Sequence, residues 1–312
     1  MTLSVPPRIT IAIPTYNRAG LLRQTLQGLT RQDYPHEQFE IVVIDNNSPD
    51  DTRAVVESFA GARPVPRYVL EPRQGLNHAR NRAVAEARGE IVVFGDDDIL
   101  MEPGWLAEMT APFARDAARR IGAVGGEVIP VFPDGLPTWV AEWHQPLAFR
   151  PDAGPIPPPH SPMGANFALP KWVFDQVGLF HSDLDRSGES LFAGGDSEMI
   201  RRVRAAGLEV WFVPAAKVLH QMPASRTTFQ YATRHAFDSA RSRVMDRSVQ
   251  PGAWGYLLSR LVANLVKAIG FCALAVLNAV VLRTGGMKQA LVRAWRSCGY
   301  IYEITRSLFR KI

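Results

Sequence analysis

Three consecutive aspartates, Asp96, Asp97 and Asp98, follow the apolar run Ile91-Val92-Val93-Phe94 and Gly95. Adjacent carboxylates repel one another, so such a cluster at the end of a buried segment calls for a compensating charge. Oxygen ligands suit a hard divalent cation, Mg²⁺ or Mn²⁺. In an extended segment Asp96 and Asp98 point the same way. They are the expected metal pair, and the ion they hold could neutralise a diphosphate leaving group. A plainer reading is a solvated turn that caps a helix beginning near Pro103. Asp45 closes a second apolar run, Phe39 to Ile44, and its own plainer reading is an Asx turn.

The elements that must position these carboxylates alternate. Short β-rich runs at 9–13, 39–44, 67–70 and 90–94 are separated by helical patterns at 19–31 and 76–88, the latter with alanines on one face. That spacing predicts an α/β fold with crossover connections and a largely parallel sheet. Ligands bind such sheets outside the carboxyl ends of the strands. Asp45 and the aspartate triplet both fall at such ends, which predicts one shared site. Residues 133–163 change character, with six prolines between Pro151 and Pro162 that exclude a helix or a central strand. A loop beside the site is expected there. Regular structure is expected to resume with 165–169, a helix over 195–206, a strand over 208–213 and a helical pattern over 227–246.

The 312 residues suffice for one large α/β domain with an appendage, at 46% hydrophobic and 21% charged composition. The net charge of +5 is unevenly spread. Beyond residue 250 the chain carries nine lysines and arginines against Glu303 alone, a net of +8, which leaves −3 for the rest. A nucleic-acid-binding face on the main domain is therefore not expected, whereas a basic, apolar tail suits an anionic membrane surface. Ala268 to Leu282 holds no charge and lies between Lys267 and Arg283. Such a stretch spans roughly 22 Å as a helix, short of the ~30 Å hydrocarbon core. A monotopic or re-entrant helix is expected, with Lys288 to Lys311 on anionic headgroups. The competing expectation is a soluble helical pair. Cys272 and Cys298 have no second cysteine at metal-ligand spacing, which fits a reducing compartment. The N-terminal residues show no secretory pattern.

Three longer segments, ITIAIPTYNRAGLLRQTLQGLTRQDYP, FEIVVIDNNSPDDT and QGLNHARNRAVAEARGEIVVFGDDD, occur in that order. MGANFAL and GGDSEMIRRVRAAGLEVWFVP follow, with a histidine six residues later. Over about residues 8–225 this set resembles the family 2 glycosyltransferases of the GT-A fold. The resemblance implies a nucleotide-diphospho-sugar transferase fold over 1–225, with a mostly parallel central sheet flanked by helices. Residues 226–312 would then form a helical, membrane-associating appendage. Pro14, Thr15 and Tyr16 would line the nucleotide pocket with Asp45. Uridine-nucleotide members usually have a second aspartate where this chain has Asn46, which brings a dTDP-type donor into consideration beside a UDP type. Arg80, followed by Asn81, matches a basic nucleotide contact. Gly164 and Asn166 match a loop that approaches the donor, and Asp97 would lie nearer the ribose. Asp196 matches the base that activates the acceptor, although Gly195 stands where an acid is usual, and Glu198 would contact the acceptor. His220 matches a third metal ligand beside Asp96 and Asp98.

The implied activity is inverting sugar transfer from a nucleotide-diphosphate donor to a glycan or lipid-linked acceptor, in cell-envelope polysaccharide or glycolipid synthesis. It would take place at the cytoplasmic face of the membrane. A nucleotidyltransferase is the alternative enzyme, but it needs a glycine-rich, basic segment after the first strand, where this chain has Pro14-Thr15-Tyr16-Asn17. A membrane-anchored binding protein that keeps the fold without catalysis is the other alternative.

Overall fold

The computed structural model describes residues 8–139, 146–182, 194–248 and 252–309. The N-terminal seven residues and the tail cations Arg310 and Lys311 lie outside them. The described chain divides into two compact units, the larger comprising residues up to Val131, Pro146–Ser182 and Gly195–Gln221.

In this unit β1 (Ile9–Thr15), β2 (Phe39–Asp45), β3 (Arg67–Leu70) and β4 (Ile91–Gly95) are linked through α1 (Ala19–Leu29), α2 (Thr52–Glu57) and α3 (Leu76–Glu86). Next come β5 (Ile99–Met101), α4 (Trp105–Ala114), β6 (Ile121–Val131), β7 (Gly154–Pro155) and β8 (Asn166–Pro170). The unit closes with α5 (Lys171–Val177), α6 (Gly195–Ala205) and β9 (Glu209–Gln221). All the strands join one sheet in the order β3-β2-β1-β4-β8-β6-β9-β5, with β7 on β9.

The parallel sheet expected from the first hundred residues is the half β3-β2-β1-β4. Beyond it the sheet is mixed. β8 runs antiparallel to both β4 and β6, and β5 is antiparallel to β9. Central strands are buried on both faces, which is why they read as continuous apolar runs. Alternate residues nevertheless serve different layers. Ile9, Ile11, Ile13, Ile41, Val43 and Val93 pack against Leu22, Leu26 and Leu29 of α1 and Trp105, Leu106 and Met109 of α4. Ala12, Val42, Ile44, Val92 and Phe94 pack on the other face against Ala79 and Ala83 of α3 and Met199, Ile200 and Val203 of α6.

One expected boundary needs correction, and two further segments gain definition. β6 carries Gly122, Gly125, Gly126 and Pro130, which hide its strand character, yet it is an eleven-residue strand at the centre of the mixed half. At Gly126 a Cβ would run into the Ala216 carbonyl and the Asn166 amide, so packing, and not strand propensity, selects glycine. The strand expected at 208–213 does not end at Pro214. β9 passes it through a register shift and continues to Gln221, thirteen residues in all. The proline-rich segment is tied down, with Arg204 donating to the Ile156 carbonyl at 3.0 Å and the Ile156 amide to Val210 at 2.8 Å.

The second unit comprises the described residues of Phe132–Gln145, Gly194 and Met222 onward. Its helices are α7 (Phe229–Ser248), α8 (Ala253–Val280) and α9 (Thr284–Phe309). α8 and α9 form an antiparallel hairpin across the short 281–283 link. Buried Glu303 of α9 accepts from Arg241 of α7 at 2.9 Å. Arg226 belongs to this unit, with its guanidinium toward the Met222 sulphur. The expected length of the apolar tail helix is corrected here. The uncharged stretch is only the far half of α8, which runs 28 residues, or about 42 Å at 1.5 Å per residue. Among the described residues α8 is the helix long and apolar enough to cross a membrane.

Candidate metal and donor site

β4 ends at Gly95, and Asp96, Asp97 and Asp98 form the turn into β5. They are not extended, and α4 takes Gly104 as its N-cap, so the triplet does not cap that helix. Tertiary contacts shape the turn: the Thr25 hydroxyl of α1 donates to the carbonyls of Asp97 and Ile99, at 2.9 Å each. β5 lies antiparallel to β9 with Ile99 opposite His220, and the Gln221 amide donates to the Asp98 carbonyl at 2.9 Å. This pairing is possible only because β9 outruns Pro214. It brings His220 Nε2 to 2.9 Å from Asp98 Oδ1 and 4.0 Å from Asp96 Oδ2.

Asp96, Asp98 and His220 thus offer three ligand atoms within 4.8 Å of one another. Two carboxylates and an imidazole suit Mn²⁺ or Mg²⁺, and neighbouring ligands of an octahedral ion bound at ~2.1 Å stand about 3 Å apart. The donor set and its spacing fit such an ion.

Asp97 faces the other way and is consumed internally. Its Oδ2 accepts from the Thr15 hydroxyl at 2.7 Å and its Oδ1 from Arg18 at 3.0 Å. Burial pushes its carboxyl up to about 6, with Arg18 and Thr15 opposing and the adjacent carboxylates adding to the rise. Arg18, which the sequence reading did not single out, completes this cluster. Its Nη1 lies 2.9 Å from Asp98 Oδ2 as well. Burial alone would lower the guanidinium's pKa, but Asp97 and Asp98 hold it above its ordinary value. The only signal in the sequence was an arginine directly after the Pro14-Thr15-Tyr16-Asn17 segment.

Asp45, at the end of β2, accepts from the Tyr68 hydroxyl at 2.7 Å and the Ser48 amide at 2.8 Å. Burial and the Asp45 carboxylate push the Tyr68 phenol up to about 12, so at neutral pH it remains a donor. Pro14 and Thr15 are buried in the neighbouring β1, and Tyr16 is exposed. Asn46, expected to bear on the choice of base, is instead a scaffold for the loop after β3. Its Nδ2 donates to the carbonyls of Glu71 (3.1 Å) and Arg73 (2.6 Å), and its Oδ1 accepts from the Gly75 amide (2.7 Å). Both N–H donors of this buried side chain are used and its Oδ1 already accepts one hydrogen bond, so it braces the loop after β3.

Asp196 lies in the first turn of α6, half-buried. Its Oδ2 accepts from the Gly164 amide at 2.7 Å. A Cβ at Gly164 would strike the Arg80 guanidinium and come within 2.9 Å of Asp196 Oδ2, which places Arg80, Gly164 and Asp196 together. Arg80 is buried, stacked 5.9 Å from the Phe167 ring centre and 5.5 Å from that of Phe180.

Two expected contacts are corrected by their surroundings. Asn166 is fully buried. It donates to the Glu127 and Ala216 carbonyls (3.0 and 2.7 Å) and accepts from Trp105 Nε1 (2.9 Å), so it joins β8, β6, β9 and α4 and cannot meet a donor. Glu198 is buried and held by Arg202 at 2.8 Å and Arg201 at 3.2 Å, so its carboxylate is engaged within α6. Asn81 likewise exchanges two hydrogen bonds with the backbone of Phe180. A cleft of about 650 Å³ lined by Arg8, Tyr34, Arg88 and Lys171 lies at the opposite ends of the strands, so cleft size does not mark this site.

Residues 10–177 match the family described as glycosyl transferase family 2. The chain is 27% identical over 210 residues to a glycosyltransferase, AglE, of Haloferax volcanii, covering 67% of this chain and 65% of that protein. It is 34% identical over 105 residues to a GalNAc(5)-diNAcBac-PP-undecaprenol beta-1,3-glucosyltransferase of Campylobacter jejuni, a third of each chain. The chain thus spans less than two thirds of the length of these relatives. Among solved structures, a mannosyltransferase of Pyrobaculum calidifontis in complex with GDP-Man and Mn²⁺ is similar with a TM-score of 0.64 and 23% identity. That similarity covers 99% of this chain and 89% of the other. A strand-end aspartate triplet, a β9 histidine folded back onto it, and a family match over more than half the sequence agree: the chain has a GT-A fold and belongs to glycosyl transferase family 2.

Proposed function

We propose that this chain is an inverting, metal-dependent glycosyltransferase that transfers a sugar from a nucleoside-diphosphate donor to an acceptor hydroxyl in cell-envelope glycan or glycolipid synthesis. The observation that carries the reading is the convergence of Asp96, Asp98 and His220 from two distant parts of the chain. Asp96, Asp98 and His220 would hold Mg²⁺ or Mn²⁺, whose charge offsets that of the diphosphate leaving group. Asp45, with Pro14, Thr15 and Tyr16 beside it, takes the nucleoside. Its carboxylate is an acceptor only, and it matches a ring N–H beside a carbonyl, which uracil, thymine and guanine all present.

Asp196 removes the acceptor hydroxyl proton as the acceptor oxygen bonds to the anomeric carbon. The bond from that carbon to the diphosphate oxygen breaks, and a nucleoside diphosphate leaves. The Gly164 amide fixes the Asp196 carboxylate, and no covalent enzyme intermediate is needed. Relatives acting on an undecaprenol-linked glycan and binding GDP-Man with Mn²⁺ support the substrate class.

The test is a panel of nucleotide sugars with Mn²⁺ or Mg²⁺. A donor at 100 times its Kd stabilises the native state by about 2.7 kcal/mol and should raise the melting midpoint visibly. Asp196→Asn should keep that shift and lose transfer by about 10²–10⁴-fold. Wild-type transfer rates in this variant would sink the base assignment.

A membrane-surface association of the helical unit belongs to the same proposal. Val266, Ile269 and Val280 of α8 are 67%, 72% and 74% exposed, and contiguous apolar surface of that kind marks an interaction site. Flotation with vesicles containing anionic lipid should retain the full chain, and its loss from such vesicles would remove the membrane from the proposal.

A further inference from the structure

The two oxygens of Asp98 are divided between two partners. Oδ1 faces His220 Nε2 at 2.9 Å, on the side of Asp96, whereas Oδ2 meets Arg18 Nη1 at 2.9 Å. The same nitrogen reaches Asp97 Oδ1 at 3.0 Å. Thr15 takes the remaining Asp97 oxygen. The side chains of Asp97 and Asp98 are 5% and 0% exposed, and that of Arg18 is 31% exposed. Arg18 is therefore a cation at the rim of the turn that reaches inward to the oxygens turned away from His220.

Its own position is fixed from the nucleotide side. Asn17 adopts a left-handed φ of 54°, and its amide donates to Ser48 Oγ at 3.0 Å. The Ala19 amide donates to Asp50 Oδ2 at 2.9 Å. Ser48 in turn donates its amide to Asp45. The backbone on both sides of Arg18 is thus pinned to the loop that follows β2, and the guanidinium is delivered from there to the triplet.

We propose that Arg18 is a positioning residue for the metal site: it holds the Asp98 carboxylate with Oδ1 turned toward Asp96 and His220, and it keeps Asp97 out of the ligand set. Groups that hydrogen-bond to the far side of a ligand orient it, and their loss typically weakens metal binding 10–100-fold. Arg18 does not compete for the metal, because the oxygens it takes are not the one that faces His220. Lysine cannot substitute fully. Its side chain is one bond shorter, and the bridge requires a nitrogen that reaches two buried carboxylates at once.

This inference rests on the metal-dependent reading above, and the experiment separates the two. Mn²⁺ binding is measured by the loss of the free-ion electron paramagnetic resonance signal, without donor or acceptor, on the wild-type chain, Arg18→Met and Arg18→Lys. Melting in EDTA is recorded in parallel. No Mn²⁺ binding by the wild type would remove the metal reading itself, whatever the variants do. With wild-type binding present, Arg18→Met is expected to weaken Mn²⁺ at least tenfold, and Arg18→Lys to recover only part of the loss, with folded melts in EDTA. Equal or tighter binding in Arg18→Met would show a competitor of the metal and overturn the proposal. If Arg18→Met does not fold, Arg18→Lys decides: wild-type affinity there would mean that charge alone suffices and would also overturn it.

Discussion

Asn46→Asp changes no heavy-atom shape and removes two donors. In the wild type the amide donates to the Glu71 and Arg73 carbonyls at 3.1 and 2.6 Å and accepts from the Gly75 amide, in a residue 5% exposed. The amide orientation follows from these partners, since two carbonyls demand an N–H₂ and one N–H demands an oxygen. In the variant an acceptor oxygen faces two carbonyl oxygens. Each lost hydrogen bond is worth about 1 kcal/mol, and each buried group left unsatisfied costs about 1–3 kcal/mol.

An ionised aspartate there should cost roughly 3–5 kcal/mol, whereas a protonated one recovers one donor and costs about 1–2 kcal/mol. Burial against two carbonyl oxygens, with the Gly75 amide the one donor shown, favours the neutral acid, so the folded-state pKa rises above the unfolded value of about 3.9. Stability tied to that proton is present below the unfolded pKa and is lost as pH rises through the folded one. The melting deficit should therefore widen between about pH 4 and pH 8, most of it below about pH 6. At ~2–4 °C per kcal/mol it should reach roughly 6–20 °C at the upper end. Thermal melts of both proteins across that range, with calorimetry of uridine and thymidine diphosphates at pH 7, make the assay. A variant that melts with the wild type at pH 8, while its preference between the two nucleotides changes, would place Asn46 against the base and refute the loop-scaffold argument.

Three further outcomes are expected. His220→Ala should weaken Mn²⁺ at least tenfold in calorimetry while the melt in EDTA stays near that of the wild type, because the side chain lies near the end of β9 against the Asp96 and Asp98 carboxylates and outside the apolar core clusters; unchanged affinity would drop it from the ligand set. Gly164→Ala should abolish most transfer, since the new methyl must displace Arg80 or Asp196, with a stability loss of about 1–3 kcal/mol; full activity would separate this loop from the base. Asn166→Leu strands the Trp105 indole N–H and the Glu127 and Ala216 carbonyls. It should cost at least about 3 kcal/mol by urea unfolding, whereas donor affinity per folded molecule should not change.

The first hundred residues determined much by themselves. Continuous apolar runs such as Ile9–Thr15 and Phe39–Asp45 can only be strands buried on both faces, and the turn chemistry after each puts Asp45 and Asp96–Asp98 at strand ends. These are local signals, carried by side-chain type and period. What tertiary structure decided depends on partners far away in sequence. β6 carries no clear strand signal of its own, because its glycines answer to Pro162 and Ala216. β9 seemed to end at Pro214, yet pairing with β6 and β5 carries it on to His220. Asn46, Asn166 and Glu198 carry polar side chains in motif positions, and no local rule tells a ligand contact from a buried staple. That distinction lies in where each donor and acceptor is spent. Arg18 shows the converse: an arginine after a strand turn is unremarkable in the chain, and acquires its role only when the fold brings Asp97 and Asp98, some eighty residues on, to within 3.0 Å.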